Sequence, residues 1–447
     1  MMQRYEKYKD SGVEWIGEIP EGWKIYRMAN LGKFSASGID KLSLPNQSKV
    51  KIINYTDVYK NQKRVINSDI DFMEVTTPEH NRLNNLVKKG DLIFLPSSET
   101  FEDLGLSALI EEDLENVSFS YHVLRFQFSI EVYDNYKKYF TNNHSILGQF
   151  SSNGTGSIRK TLNRNDFRNL NVVLPPIEEQ QTIANFLDDK TAKIDQTIAI
   201  KQKEIELLKE RRQILIQKAV TKGLDATVPM KDSGVDWIGE IPEHWEVRKL
   251  KYCLNSKLKY GANESGVEYD LDLPRYIRIT DFGFDGKLSE DKKLSLTWLQ
   301  GKDYLLKDGD ILFARSGATV GKSYQFKTSM SFEKHYSFAG YLIKAEANEE
   351  IILSDYLYLY TNSNLFGNWK SAIFNKATIE NIGADKYSTL SVVVPPVIEQ
   401  KEILLEYNTK NEKIAKAISI KEQEIEKLKE YKTVLIDQVV TGKVKIN

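Results

Sequence analysis

KDSGVEWIGEIPEGW at residues 9–23 returns as KDSGVDWIGEIPEHW at residues 231–245, with only Glu14/Asp236 and Gly22/His244 exchanged. Further along, VVLPPIEEQ at 172–180 returns as VVVPPVIEQ at 392–400. Each copy runs on into a Pro- and Gly-free segment, AKIDQTIAIKQKEIELLKERRQILIQKAVT from Ala192 and EKIAKAISIKEQEIEKLKEYKTVLIDQVVT from Glu412. A unit this long is not a solenoid repeat, which spans about 20–50 residues; it is a duplicated domain followed by a helix. Between the matching frames the interiors diverge, sharing only fixed points. Thr56-Asp57 answers Thr280-Asp281, and Lys89-Gly90-Asp91-Leu92-Ile93-Phe94 answers Asp308-Gly309-Asp310-Ile311-Leu312-Phe313. Drift after a meaningless duplication would blur frame and interior alike. The contrast implies one mechanical task done twice on two different targets.

Val172-Val173-Leu174 reads as a short buried strand that ends at Pro175-Pro176. Proline suits the first turn of a helix, and Glu178-Glu179 suits its positive end. The spacing predicts a helix over 176–222, stopped by Gly223 and ~70 Å long if unbroken. A heptad runs through it with Ile194, Ile198, Ile205, Leu208, Leu215 and Ala219 on one seam, answered by Ile414, Ile418, Ile425, Leu428, Leu435 and Val439 in the second copy. Lys201 and Arg212, like Lys421 and Lys432, interrupt the seams, which fixes register at some cost in stability. With a globular domain between them in the chain, the two helices are expected to pair antiparallel. The fold class is therefore α+β: two globular mixed α/β domains separated by two long antiparallel coiled-coil helices, in an internal pseudo-twofold repeat. In the block at the start of each frame, Trp15, Ile16, Ile19 and Trp23 are expected to clip each half onto its neighbour, with partner docking as the alternative.

The 447 residues are 41% hydrophobic and 28% charged, the make-up of a globular protein with room for more than one core. No apolar run approaches the ~20 residues of a membrane helix, and the polar start, MMQRYEKYKDSG, lacks the apolar stretch of a secretory signal. A single cysteine, Cys253, excludes an intrachain disulfide framework and points to the reducing cytoplasm. His80, His122, His144, His244 and His335 are scattered, so no metal site is expected. The formal net charge of −1 does not advertise a nucleic-acid binder; that role needs basic surface concentrated locally.

Motifs for catalysis fail on inspection. Gly317-Ala-Thr-Val-Gly321-Lys322-Ser323 is like a phosphate-binding loop but has three residues between its glycines instead of four. Asp281-Phe282-Gly283 is a kinase-like triplet with no matching catalytic loop before it. Neither Pro-Pro pair carries the Asn and aromatic of an adenine methyltransferase, and no cofactor is expected. What the interiors do hold is polar, glycine-loosened loops. The first runs Ser151-Ser-Asn-Gly-Thr-Gly-Ser-Ile-Arg159-Lys160 and offers Asn153, Thr155, Ser157, Arg159, Lys160 and, just after it, Arg164. The second half offers Arg315, Ser316, Thr319 and Lys322, then Asn375, Lys376 and Thr378 at the place matching the first loop. Arg and Lys read guanine, Asn reads adenine, and Gly lets backbone amides approach phosphate.

A duplicated unit with WIGEIPE and a tryptophan at its start, a Gly-Asp-Ile/Leu-Leu/Ile-Phe strand and VPP-x-x-EQ opening a long helix resembles the specificity subunits of type I restriction–modification systems, the HsdS family, over essentially the whole chain. The resemblance implies a non-catalytic DNA-recognition subunit with recognition domains at 1–175 and 223–395 and spacer helices at 176–222 and 396–447. Each domain would bind half of a split target in double-stranded DNA. The paired helices would set the gap and dock two modification (methyltransferase) subunits, joined by ATP-driven restriction subunits for cleavage. The family-like Arg315-Ser-Gly-Ala-Thr-Val-Gly-Lys322 has no match in the first half, which reads Leu95-Pro-Ser-Ser-Glu-Thr-Phe-Glu-Asp103. There Ser97, Ser98 and Thr100 are the expected contacts in place of an arginine. A coiled-coil interaction scaffold that binds no nucleic acid is the alternative, favoured by the net charge and opposed by like frames around unlike interiors.

Overall fold

A computed structural model describes residues 3–14, 16–225, 227–283, 286–317, 320–374 and 381–446. The chain divides into two compact units, Met1–Gln202 with Glu422–Asn447, and Lys203–Lys421. Two long helices, Ile177–Thr221 and Val397–Val440, contribute to both: each unit holds the beginning of one helix and the end of the other. The first helix is one residue shorter at either end than its Pro/Gly boundaries suggest. The second stops well before residue 447, because Gly442 adopts φ +75°, as Gly223 does with φ +65° after the first helix. Beyond Gly442 the chain turns back on the helix end, with the Lys443 and Val444 amides donating to the Gln438 carbonyl, before the Lys445 amide donates to the Gln3 carbonyl at 2.7 Å.

In the first unit a five-stranded sheet runs in the order Gly32–Ser35, Leu124–Phe128, Leu92–Phe94, Ser107–Ile110, Val65–Ile66, antiparallel except for its last pair. A three-stranded sheet of Val117–Phe119, Ser48–Ile53 and Met73–Thr77 stands beside it in the sequence of elements. The second unit has two four-stranded sheets. One is antiparallel, in the order Lys259–Tyr260, Leu342–Ala345, Ile311–Ala314, Ser323–Gln325. The other orders Val267–Glu268, Leu294–Ser295, Arg275–Ile277 and Tyr336–Phe338.

The shared motifs are the fastenings of these units. The glycines of the Gly-Asp turns, Gly90 and Gly309, both have φ +86°, and the following aspartate closes the turn. Asp91 accepts from the Lys88 amide at 3.0 Å and Asp310 from the Lys307 amide at 2.8 Å. In the Thr-Asp pairs the aspartate completes a capping box: Asp57 accepts from the Asn54 amide and Asp281 from the Arg278 amide, each at 2.7 Å. Strand Lys24–Arg27 pairs with Asn171–Leu174, and Glu246–Lys249 pairs with Ser391–Val394, which brings each starting block to the start of a helix.

There the Glu-Gln of VPP-x-x-EQ acts. Buried Trp23 donates its indole N–H to Glu179 at 3.0 Å, and Tyr5 donates to the same carboxylate. Trp245 donates to Glu399 at 2.9 Å, with His244 at 2.8 Å from it. Gln180 donates to the Pro175 carbonyl and accepts from the Tyr133 amide, both at 2.9 Å. Gln400, fully buried, donates to the carbonyls of Pro395 and Ile351 at 2.8 and 2.9 Å and accepts from the Leu353 amide at 2.8 Å. Ile16, Ile19 and Trp23 lie in one buried cluster with Leu435, Val439 and Val440. Ile238, Ile241 and Trp245 likewise lie with Ile216, Ala219 and Val220, so each block holds the start of its own half's helix and clips onto the end of the other half's helix, as its sequence suggests for Ile16, Ile19 and Trp23. Trp15 lies outside the described residues.

Within each unit the helix segments run antiparallel. In the first, Lys201 meets Glu424 and Lys432 meets Asp195, both at 2.7 Å; in the second, Lys421 meets Glu204. Ile194, Ile205, Ala219, Ile414, Ile418, Ile425, Leu435 and Val439 are buried, while Ile198, Leu208, Leu215 and Leu428 are half-buried. Near the end of the first helix the fully enclosed positions are Ile216 and Val220. A 3.6-residue turn drifts against a strict seven-residue count, so the buried stripe moves over by one residue where the helix docks on the second unit's core.

Replacing Gln400 with Leu should leave two carbonyls and one amide enclosed without partners. Urea unfolding followed by circular dichroism should show a loss of about 2–4 kcal/mol; an unchanged midpoint would mean the glutamine is not a fastening.

Candidate nucleic-acid interface

The two candidate loops differ in length and sequence, yet their backbones are bonded in the same way. In the first unit Ser97 pairs with Thr161 and Ser98 with Lys160, and the Leu162 amide donates to the Pro96 carbonyl at 2.8 Å. In the second, Ser316 pairs with Asn381 and the Ile382 amide donates to the Arg315 carbonyl at 2.9 Å. The loop returns through Gly105, whose amide donates to Leu95 at 3.0 Å, or Gly321, whose amide donates to Ala314 at 2.9 Å; both glycines have φ +76°. A hydroxyl pair at 2.8 Å then follows in each, Ser107 with Thr141 and Ser323 with Thr361. The two loops, read as unlike in sequence, are versions of one hairpin. The same pairing disposes of the phosphate-loop likeness: Ile311–Ala314 and Ser323–Gln325 are antiparallel neighbours, whereas that loop joins a strand to a helix.

The side chains separate into those open to a ligand and those already engaged. Arg159 is exposed; its Nε donates to Ser97 Oγ at 3.0 Å and its guanidinium carbon lies 5.2 Å from the Tyr55 ring centroid. Arg315 is half-buried; its Nε reaches Asn381 Oδ1 at 3.4 Å and its guanidinium carbon lies 5.1 Å from the Tyr260 ring. Asn153, Thr155 and Ser157 are exposed on the loop that bridges back at Thr155–Thr161. Lys160 folds onto its own loop, donating to the carbonyls of Gly156 and Ser157 at 2.8 and 2.9 Å and lying over Phe101. Arg164 donates to the Phe34 carbonyl. Thr100 donates to Asp103 at 2.8 Å. Lys322 is half-buried and donates to the Phe282 carbonyl at 2.9 Å. Ser98, expected to face a ligand, is only 1% exposed because the strand pairing turns it into the core. Thr319, Asn375, Lys376 and Thr378 lie outside the described residues.

Beside Arg159 the imidazole of His122 lies 3.9 Å from the Tyr121 ring. Burial, then the charges of Lys41 and Arg159, push its pKa below the usual histidine value. Among the described residues no cluster of His, Cys, Asp and Glu could hold a metal, and no helix is long and apolar enough to cross a membrane.

Residues 20–210 match the family model of the type I restriction modification DNA specificity domain. The chain is 24% identical to a Methanocaldococcus jannaschii chain provisionally named the type I restriction enzyme MjaX specificity subunit, an alignment that covers 100% of this chain and 99% of that one. It is 26% identical to the MjaVIII specificity subunit of the same organism over 63% of either chain. With the EcoKI specificity subunit of Escherichia coli it shares 24% identity over 61% of this chain and 57% of the other. A solved chain from work on assembly and conformational transition of the type I R-M system has the same fold, with a TM-score of 0.69 at 16% identity over 94% of this chain and 98% of that one.

Gly105 and Gly321 test whether the loops share one geometry. A Cβ on either falls 2.0 Å from a side-chain carbon, of the buried Phe150 ring for Gly105 and of the Lys370 stem for Gly321. Lysine can move aside and the enclosed ring cannot. Gly321→Ala should therefore cost about 1–2 kcal/mol, from the left-handed backbone alone. Gly105→Ala should cost about 2–5 kcal/mol, with overpacking added. Equal losses on denaturation would refute the difference.

Proposed function

We propose that the chain is a specificity subunit of the type I restriction–modification family, a reading supported by the match of residues 20–210 to the DNA specificity domain and by the end-to-end alignment with a chain so named, and that its two recognition domains, residues 1–175 and 223–395, each bind one half of a bipartite target in double-stranded DNA. The chain recognises; methyl transfer and cleavage belong to the methyltransferase and restriction subunits that it brings to that target. Two methyltransferase subunits dock on the spacer helices, 176–222 and 396–447, and the assembly works in the cytoplasm. The observation that carries this reading is the pair of equally bonded hairpins, Ser97–Thr161 and Ser316–Asn381, each presenting one arginine drawn from a different position. A shared scaffold with exchanged readers is what two different half-sites require.

Binding should rest on phosphate contacts despite the net charge of −1. Gel shifts with the chain and its methyltransferase partner on target duplex should weaken steeply as salt rises from 50 to 200 mM, by roughly a hundredfold or more for several contacts. Absence of binding at low salt would favour the scaffold alternative.

Helix length should set the gap between half-sites. One heptad inserted after Gln202 and another after Lys421 falls at the divide between the units and leaves the contacts inside each unit in place. The added rise is about 10 Å, roughly three base pairs of B-DNA. The mapped methylation motif should keep its half-site bases and lengthen its spacer by that amount. An unchanged spacer would show that the helices hold partners without measuring DNA.

A further inference from the structure

We infer that each unit aims its base-reading arginine by laying the guanidinium over a tyrosine ring, so that Tyr55 and Tyr260 are positioning residues for half-site recognition; this rests on the DNA-recognition reading above. The two pairs match closely: Arg159 lies 5.2 Å from the Tyr55 ring and Arg315 lies 5.1 Å from the Tyr260 ring. In each, the guanidinium is tethered through Nε alone, to Ser97 or to Asn381. Both Nη groups of each arginine are left without a hydrogen-bond partner among the described residues. Those two groups form the fork that meets O6 and N7 of guanine.

The likeness is not an inheritance from the duplication. Arg315 stands where the first unit has Pro96, on the segment that follows the Gly-Asp strand, while Arg159 comes from the opposing segment of the same bridge. Tyr55 opens the short helix Tyr55–Tyr59, where the matching Thr-Asp motif gives the second unit Ile279. Tyr260 belongs instead to the edge strand Lys259–Tyr260. Four non-equivalent positions have arrived at one geometry at one place on the hairpin.

The rings are held from behind. Tyr260, 42% exposed, accepts the Ala384 amide on its hydroxyl at 2.9 Å. Tyr55 stacks on Tyr59 with ring centroids 5.4 Å apart, and Tyr59 donates to Asp103 at 3.2 Å. Tyr260, so exposed, adds little to the core, whereas Tyr55 also packs against the first unit's buried cluster. A flexible arginine must also lose rotamer freedom before it can form two bonds in a plane, and a face-on aromatic supplies part of that ordering in advance.

The test uses the chain with its methyltransferase partner, on duplexes in which each base pair of the mapped target is changed in turn, with the other half-site as internal reference. Arg315→Ala should lower discrimination at one guanine of one half-site by roughly 5- to 150-fold, and Arg315→Lys should do much the same because it lacks the fork. Tyr260→Leu should lower discrimination at that same base pair by roughly 2- to 5-fold. Tyr260→Phe should restore most of the loss, and Tyr260→Leu should add nothing once Arg315 is Ala. Arg159 and Tyr55 should behave likewise at the other half-site. A Tyr260→Leu loss spread over all base pairs, one that persists without Arg315, or one that phenylalanine does not rescue would overturn the positioning role. A wild-type complex with no half-site preference at all would instead overturn the DNA-recognition reading beneath it.

Discussion

The hydrogen bond from a buried tryptophan indole to a glutamate in the first turn of a long helix is the contact on which each unit is assembled. Trp23 with Glu179, and Trp245 with Glu399, fasten a starting block to a helix that begins more than a hundred residues later. The neighbouring Gln180 and Gln400 saturate the backbone on either side of the Pro-Pro break. The end of the other helix is brought to the same tryptophan. A Cβ on Gly442 would come within 3.1 Å of the Trp23 ring, and one on Gly223 within 2.8 Å of the Trp245 ring. The left-handed turn at each glycine therefore both stops a helix and lets its end lie against the indole. With domain and helices joined by these few residues, the interiors can change without disturbing the frame.

They have changed a great deal. The first unit's core is rich in phenylalanine, with Phe34, Phe94, Phe126, Phe150 and Phe167 in mutual contact. The corresponding region of the second relies on Trp369, Tyr387 and Phe313. The second unit also encloses a charged cluster. Glu333 accepts from Tyr336 and Tyr269 and pairs with Lys293 and Arg275. Burial works to raise its pKa, but those bonds and the Arg275 charge hold it down to about 2. It stays ionised as the centre of a network that its partners satisfy, and so avoids the cost of an unpaired buried charge.

Much of the frame was legible in the sequence because its devices are local. Gly-Asp turns, Pro-Pro before a helix, a glycine after one and a heptad between them all follow from backbone geometry at known spacing. The partners were not legible: nothing near Glu179 says that its carboxylate meets a tryptophan far upstream. The candidate loops were harder still. Leu95 to Gly105 and Ala314 to Gly321 differ in length and chemistry, and only the bridges at Ser97–Thr161 and Ser316–Asn381 reveal their common geometry. Ser98 looks like a surface hydroxyl in sequence and is turned inward by that pairing. Tyr55 and Tyr260 carry no spacing signal, since each meets its arginine only across the fold.

If the two readers are independent within equal frames, one can be exchanged without touching the other. The interior of the first unit, residues 28–170, would be replaced by its equivalent from one of the similar specificity subunits, leaving both frame strands and both helices untouched. The methylated motif would then be mapped in cells that also carry the methyltransferase partner. One half of the motif should change while the other half and the spacing remain. A change in both halves together, or a loss of spacing with the frame intact, would contradict that independence.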